Sequence, residues 1–216
     1  MKKALILSVC AVLVAAASVL GTLAYLTSQD TIVNTFTVGQ VSIVLDETKV
    51  TPDGKPVEGA DRVEGNEYHL LPGQTYTKDP RMTVVKGSEE AYVRMLVTVN
   101  CLKELDAIFA SEGVDLAAVF NGYDAETWIY ETATKDADEN TITYEFRYKE
   151  TVEPTADTDL VLDALFDTIT VPDSMTGEDL TKIGELTITV VGHAIQAAGF
   201  DSEDAAWTAF DAEIGG

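Results

Sequence analysis

Basic residues are scarce in this chain. Lys and Arg number 14 against 37 Asp and Glu, which gives a formal net charge of −23 at pH 7. Nucleic acid is therefore excluded as a partner, because its phosphates would be repelled. Anionic lipid headgroups are disfavoured for the same reason. A charge this negative favours solubility outside the cell and diffuse binding of divalent cations.

Cysteine is nearly absent, with only Cys10 and Cys101. Cys10 falls in the leader predicted below, so the mature chain has one thiol and no internal disulfide. Its fold must be held by its own core, which a mature chain of about 190 residues can supply. Cys101 ends the apolar stretch Tyr92–Leu102. It is predicted to be a buried, inert thiol, because no activating base stands in a recognisable motif.

Catalytic motifs are lacking as well. The chain has two histidines, His69 and His193, and no His-Glu-x-x-His pattern that would bind zinc on a helix. It has neither the Gly-x-Ser-x-Gly turn of hydrolases nor a phosphate-binding loop. We therefore predict no catalytic residue and no resident metal or cofactor. A composite metal site made of His69, His193 and acidic side chains is kept as the alternative.

One acidic run is similar to a calcium-binding loop. Asp136-Ala137-Asp138-Glu139-Asn140 has the oxygen-rich side chains of such a loop, but it lacks the central glycine and the distal glutamate. A solvated turn is predicted here, with weak Ca²⁺ binding as the alternative.

The N-terminus has the three parts of a secretory signal. Lys2 and Lys3 precede the apolar run Ala4–Leu20, and small residues at Thr22 and Ala24 suit a signal peptidase. The predicted signal peptide is 1–24, and the mature chain begins at Tyr25 with 12 basic and 37 acidic residues, a net charge of 12 − 37 = −25. The alternative is a retained anchor, because residues 4–26 carry no charge and a bilayer span needs about 20 apolar residues.

Strand patterns dominate the rest of the chain. Runs with alternating or continuous apolar character are Thr31–Leu45, Thr75–Thr77, Met82–Val85, Ala91–Asn100, Thr127–Thr132, Thr141–Lys149, Ala164–Val171 and Glu185–Gln196. Helices are predicted over Leu102–Ala110 and from Asp201 or Ser202 onward, the second with the core-packing stripe Trp207, Phe210 and Ile214. Asp115–Phe120 is predicted as a turn or short helix, and Thr176–Asp179 as a turn. The fold predicted from this pattern is an antiparallel β-sandwich with one or two decorating helices.

Several stretches together resemble the TasA/camelysin family of secreted Gram-positive proteins. They recur in order across nearly the whole chain: Gly21–Thr27, Asn34–Gly39, Val41–Ile43, Leu45–Glu47, Leu71–Gln74, Lys78–Pro80, Ser88, Ala91–Arg94, Ala194–Ala197, Gly199–Phe200, Ala206–Trp207 and Phe210. The resemblance implies a jelly-roll-like sandwich, export through a SipW-type signal peptidase, and a role in biofilm-matrix fibres. It implies as partners other copies of the chain and related matrix proteins.

The resemblance also implies a donor strand. The mature N-terminal segment 25–36 would pair with the sheet of a neighbouring subunit through Asp30, Thr31, Ile32, Val33, Asn34, Thr35 and Phe36, while 37–216 forms the sandwich domain. An open sheet edge is a template for such a strand. The alternative is that Thr31–Leu45 pairs within its own sheet.

The function expected from these observations is that of a secreted structural protein assembling into extracellular fibres. Two alternatives stay open. One is a camelysin-like metalloendopeptidase, a label that the family name carries. The other is a monomeric surface module that keeps its membrane anchor.

Overall fold

The computed structural model describes residues 40–112 and 119–214, without the side chains of 110–112 and 214. The predicted signal peptide with its cleavage residues Thr22, Ala24 and Tyr25 lies outside the described residues. So does the predicted donor segment, which includes Asp30, Thr31, Ile32, Val33, Asn34, Thr35 and Phe36. Within the described ranges, no helix is long and apolar enough to cross a membrane.

The described chain is mainly β, with ten strands and three helices. The strands are β1 (Ile43–Asp46), β2 (Thr75–Thr77), β3 (Arg81–Val84), β4 (Ala91–Val99), β5 (Phe120–Asn121), β6 (Trp128–Asp136), β7 (Thr141–Tyr148), β8 (Leu160–Val161), β9 (Thr168–Thr170) and β10 (Ile188–Gln196). The helices are α1 (Leu102–Glu112), α2 (Gly177–Ile183) and α3 (Glu203–Ile214). The predicted mainly β, antiparallel fold class is confirmed.

Three antiparallel sheets share one core. Their strand orders are β10-β4-β7-β6, β1-β3-β8 and β2-β9-β5. Strand β4 supplies the centre of that core, because its odd-numbered residues from Val93 to Val99 are buried and its neighbour β7 buries Ile142, Tyr144 and Phe146. The other two sheets add side chains to the same hydrophobic cluster, among them Tyr76, Met82, Val84 and Ile169. The jelly-roll order of connections stays a prediction.

Gly192 in β10 lets two of these sheets approach closely. A Cβ atom at this position would lie 2.5 Å from Cε of Met82 in β3, and it would also meet the side chains of Ile43 and Leu45 in β1. Glycine therefore permits β1 and β3 to pack directly against the inner face of β10.

Strands β6 and β7 and the two longer helices lie where the sequence pattern predicts strands and helices. Strands β6 and β7 pair antiparallel around the turn after Asp136, with a bulge between Tyr130 and Thr132. Helix α1 covers the predicted span Leu102–Ala110 and buries Leu102, Leu105 and Phe109 against the core. Strand β6 continues to Asp136 rather than ending at Thr132, because it follows β7 along most of that strand's length.

Two local predictions were wrong. Thr176–Asp179 is the start of helix α2, where Thr176 and Asp179 form a reciprocal capping box. Most of the predicted turn or short helix Asp115–Phe120 lies outside the described residues, and Phe120 lies in strand β5, where it pairs with Ile169. Within the predicted strand Ala164–Val171, only Thr168–Thr170 is a strand. Leu165 and Phe166 are buried, but they lie in an irregular segment before it. The helix count is three rather than one or two.

Candidate functional site

Strand β10 lies at the edge of the four-stranded sheet formed by the described residues. Hydrogen bonds at both ends of β10 show which of its residues bond to β4 through their backbone groups. Asn100 N donates to Thr187 O at 3.3 Å, and Ala197 N donates to Glu90 O at 2.8 Å. Because an antiparallel ladder alternates, the odd-numbered residues of β10 bond to β4. The backbone N–H and C=O groups of Ile188, Val190 and Gly192 therefore point toward the outer edge.

A groove of about 880 Å³ runs beside this edge. Its walls are the end of β1 at Leu45–Glu47, the loop 64–70, and the segment 183–190, which leads from α2 into β10. The side chains of Ile188 and Val190 point inward, toward the core. The groove thus combines an apolar floor with backbone groups that have no partner among the described residues, which is the arrangement that an added β-strand requires.

A buried ion pair stabilises the polar wall of the groove. Lys78 Nζ contacts Glu47 Oε2 at 2.6 Å, and both side chains are less than a tenth exposed. Asn66 Nδ2 donates to the other oxygen of Glu47 at 2.9 Å and to Thr48 O at 2.8 Å. Breaking one partner of such a pair is strongly destabilising, because it leaves a buried charge uncompensated. These contacts hold Glu47 and Asn66 in place in the wall of the groove.

Arg62 holds the long loop that precedes the groove. Its guanidinium donates to Asp46, Thr48 and Asp79, with a contact of 2.9 Å to Asp79 Oδ2. Burial by itself would raise the pKa of Asp79, but hydrogen bonds from Arg62 and Thr48 outweigh burial and lower it. Burial raises the pKa of Tyr68, whose hydroxyl donates to Thr77 O. These contacts connect the loop to the end of β1, to β2 and to Asp79 between β2 and β3.

An apolar gap of about 50 Å³ adjoins the floor of the groove. The gap lies between helices α1 and α2 and strand β9, and it exposes no polar surface. It shares six lining residues with the groove, which are Leu70, Ile169, Leu180, Ile183, Leu186 and Ile188. Gap and groove are therefore continuous.

The structure places the two histidines in different surroundings. His69 lines the groove, and its backbone oxygen accepts a hydrogen bond from the Tyr76 hydroxyl at 2.8 Å. His193 lies on the other face of β10, where its Nδ1 accepts from Arg94 Nε at 3.2 Å. In residues 40–112 and 119–214, no group of three or more His, Cys, Asp or Glu side chains is arranged to hold a metal ion. The metalloendopeptidase alternative stays a prediction.

Arg94 joins the C-terminal helix to the sheet. Its side chain is only 3% exposed and makes a bidentate pair with Asp211 of α3. The guanidinium carbon lies 4.4 Å from the ring centroid of Trp207, a cation–π geometry. Burial and the neighbouring Arg94 charge lower the pKa of His193, against a smaller opposing effect of Asp211 and Glu145. The predicted packing of Trp207 is confirmed, but the sequence pattern did not identify Arg94 as its partner.

Cys101 and the acidic turn have structural roles. Cys101 is half-buried rather than buried, and its Sγ donates to Ile183 O at 3.4 Å. Burial raises its pKa, which makes the thiolate scarcer at neutral pH. Asp136 Oδ1 accepts from the backbone N–H groups of Asp138 and Glu139, so the predicted turn is confirmed. Weak Ca²⁺ binding there stays a prediction.

Comparisons with known proteins identified no similar protein. No family model, no curated protein and no solved structure matches the chain. The resemblance to the TasA/camelysin family therefore stays a prediction, and the function must be argued from the groove and the sheet edge.

Proposed function

We propose that this chain is a secreted structural protein that assembles into extracellular fibres. In this proposal, the mature N-terminal segment 25–36 of one copy adds a strand to the outer edge of β10 in the next copy. The observation that carries the proposal is the coincidence of two features. The backbone groups of Ile188 and Val190 face outward, and the groove of about 880 Å³ lies along that edge.

The segment 25–36 has the composition of a strand that can enter such a groove. It contains Tyr25, Leu26, Ile32, Val33 and Phe36, has no proline or glycine, and carries only one charged side chain, Asp30. Most of the chain is strongly acidic, so two bodies repel each other at long range. A nearly uncharged segment adds little to that repulsion when it docks.

The geometry of this contact favours a filament over a closed pair. The donor is the N-terminal segment and the acceptor is the edge of β10, so the two surfaces differ. A contact between two different surfaces is head-to-tail and extends indefinitely unless its rotation closes a ring. Secretion and cleavage before Tyr25 would free the donor segment, which links the proposed export to the proposed assembly.

Electron microscopy of the mature protein tests the proposal. We expect filaments from the chain that begins at Tyr25 and none from a chain that lacks 25–36. A chain in which the order of residues 25–36 is scrambled is the matched control, since its length and charge are unchanged. Filaments that form equally well without the segment would contradict the donor-strand contact.

A further inference from the structure

We infer that the side chains of Lys78 and Asn66 join in an amide bond, with Glu47 transferring the protons. This inference does not depend on fibre assembly, since all three residues belong to one chain. They meet in the polar wall of the groove, where Lys78 Nζ contacts one carboxylate oxygen of Glu47 at 2.6 Å and Asn66 Nδ2 donates to the other at 2.9 Å. An amine nucleophile, a carboxamide and a group that can carry protons between them are what such a bond requires.

Hydrogen bonds fix the orientation of the Asn66 amide. Val50 N can only donate and lies 2.9 Å from Oδ1, whereas Thr48 O can only accept and lies 2.8 Å from Nδ2. The Val50 N–H therefore points at the oxygen that becomes negative when a nucleophile attacks Cγ, which is how an oxyanion is stabilised. Nδ2, the leaving group, lies on Glu47.

Backbone hydrogen bonds hold the reacting residues in place. Glu47 exchanges two bonds of 2.8 Å with Val63, and Lys78 N donates to Asp167 O at 3.1 Å. Glu47 is 4% exposed and Lys78 is 8% exposed, so little water surrounds the amine. Groups that are held together in this way react faster because their entropy of association is already lost.

The reaction balances without an oxidant or any added reagent. A proton first moves from Lys78 Nζ to Oε2 of Glu47, which turns the ammonium into a nucleophilic amine. Nζ then attacks Cγ of Asn66 and forms the new C–N bond, with the negative charge on Oδ1. A second proton passes from Nζ through the Glu47 carboxyl group to Nδ2, the Cγ–Nδ2 bond breaks, and ammonia leaves through the groove. The first proton stays on Glu47, which is then neutral beside the new amide.

The bond closes the segment 66–78 into a covalent loop. It joins the loop 64–70 in the groove wall to the residue that follows β2. Such a link restricts the unfolded chain as a disulfide would. The predicted mature chain has a single cysteine, so it has no disulfide to serve this purpose.

The mass of the purified chain that begins at Tyr25 tests the inference. We expect an intact mass about 17 Da below the value calculated from the sequence, because one ammonia is lost. Lys78→Arg keeps a cation beside Glu47 but has no amine, so it should show its full calculated mass. Lys55→Arg is the matched control and should lose ammonia like the unsubstituted chain, since Lys55 pairs with the exposed Asp53. A full calculated mass for the unsubstituted chain would overturn the inference.

Digestion of the denatured chain locates the bond and separates it from cyclisation of an asparagine, which also releases ammonia. Trypsin should leave residues 63–81 as one peptide, because the Lys78 side chain is no longer a free amine. A glutamate-specific protease should then cut after Glu64 and Glu67 and yield 65–67 still joined to 68–81. Release of 63–78 by trypsin would show that Lys78 is unmodified and would overturn the inference.

Glu47→Gln tests the proton transfer. Glutamine has nearly the same size but cannot take a proton from Lys78, so we expect a chain that is folded by circular dichroism, keeps its full mass and is cut by trypsin after Lys78. Loss of ammonia from this variant at the level of the unsubstituted chain would show that Glu47 does not carry the protons. The mass and the peptides of the unsubstituted chain decide on the bond itself, whether or not a variant folds.

Discussion

Proline substitutions in β10 test which backbone groups are free. The ladder alternation assigns the Val190 N–H to the open edge and the Val191 N–H to the bond with Leu96 of β4. Proline removes the N–H in both cases. The two neighbouring positions should therefore respond in opposite ways, although both are valines in the same strand.

The expected magnitudes follow from this alternation. Val190→Ala removes two half-buried methyl groups and should cost about 1 kcal/mol of unfolding free energy. Val190→Pro should lie within about 1 kcal/mol of Val190→Ala, because no hydrogen bond to another described residue is lost and proline is tolerated on an open edge. Val191→Pro should cost about 1–3 kcal/mol more than Val191→Ala, since the Leu96 carbonyl loses its donor.

Urea unfolding followed by circular dichroism measures these differences, and sedimentation measures assembly. Val190→Pro should fold but fail to act as an acceptor, whereas Val190→Ala should still assemble. If Val190→Pro is as destabilising as Val191→Pro, the assignment of the outward groups is wrong. If Val190→Pro forms filaments as readily as Val190→Ala, the edge of β10 is not where the donor binds.

Two further predictions concern the Lys78–Glu47 ion pair and His193. Lys78→Met should lower the free energy of unfolding in urea by about 3–5 kcal/mol, because Glu47 stays buried without its partner. In the double variant, Glu47→Gln should recover part of that loss. A cost below about 1 kcal/mol for Lys78→Met would contradict the structural role of the pair. His193 has a pKa below its usual 6.5, so the unfolded chain binds the proton more readily. Its contribution to stability is full above pH 6.5 and is lost as the pH falls below that value. His193→Gln, which keeps an acceptor for Arg94, should remove this part of the pH dependence, and parallel stability curves for the two proteins would refute it.

The sequence pattern predicted the elements whose signals are local. Alternation along β7 and the continuous apolar run of β4 identified both strands, because their periodicity is set by residues close in sequence. The fold class followed from the number of such strands and from the lack of regular strand–helix repeats. Helix α2 was missed although its capping signal, Thr176 with Asp179, is present. The helix is only seven residues long and begins at Gly177, so the apolar period is too short to recognise.

The candidate site could not be predicted from the sequence because it depends on tertiary structure. The groove is formed by β1, the loop 64–70 and the start of β10, which are far apart along the chain. Which strand forms a sheet edge is decided by pairing, and no local pattern reports it. Arg94 likewise interrupts an apolar run without any sign that Trp207 and Asp211, more than a hundred residues later, cover it.

A complementation experiment tests the central claim most directly. One variant lacks residues 25–36 and is an acceptor only, and the other carries Val190→Pro and is a donor only. Analytical ultracentrifugation should show each variant alone as a monomer and their equimolar mixture as a one-to-one complex that does not grow into filaments. A mixture that stays monomeric would contradict donation of the N-terminal segment from one copy to the β10 edge of another.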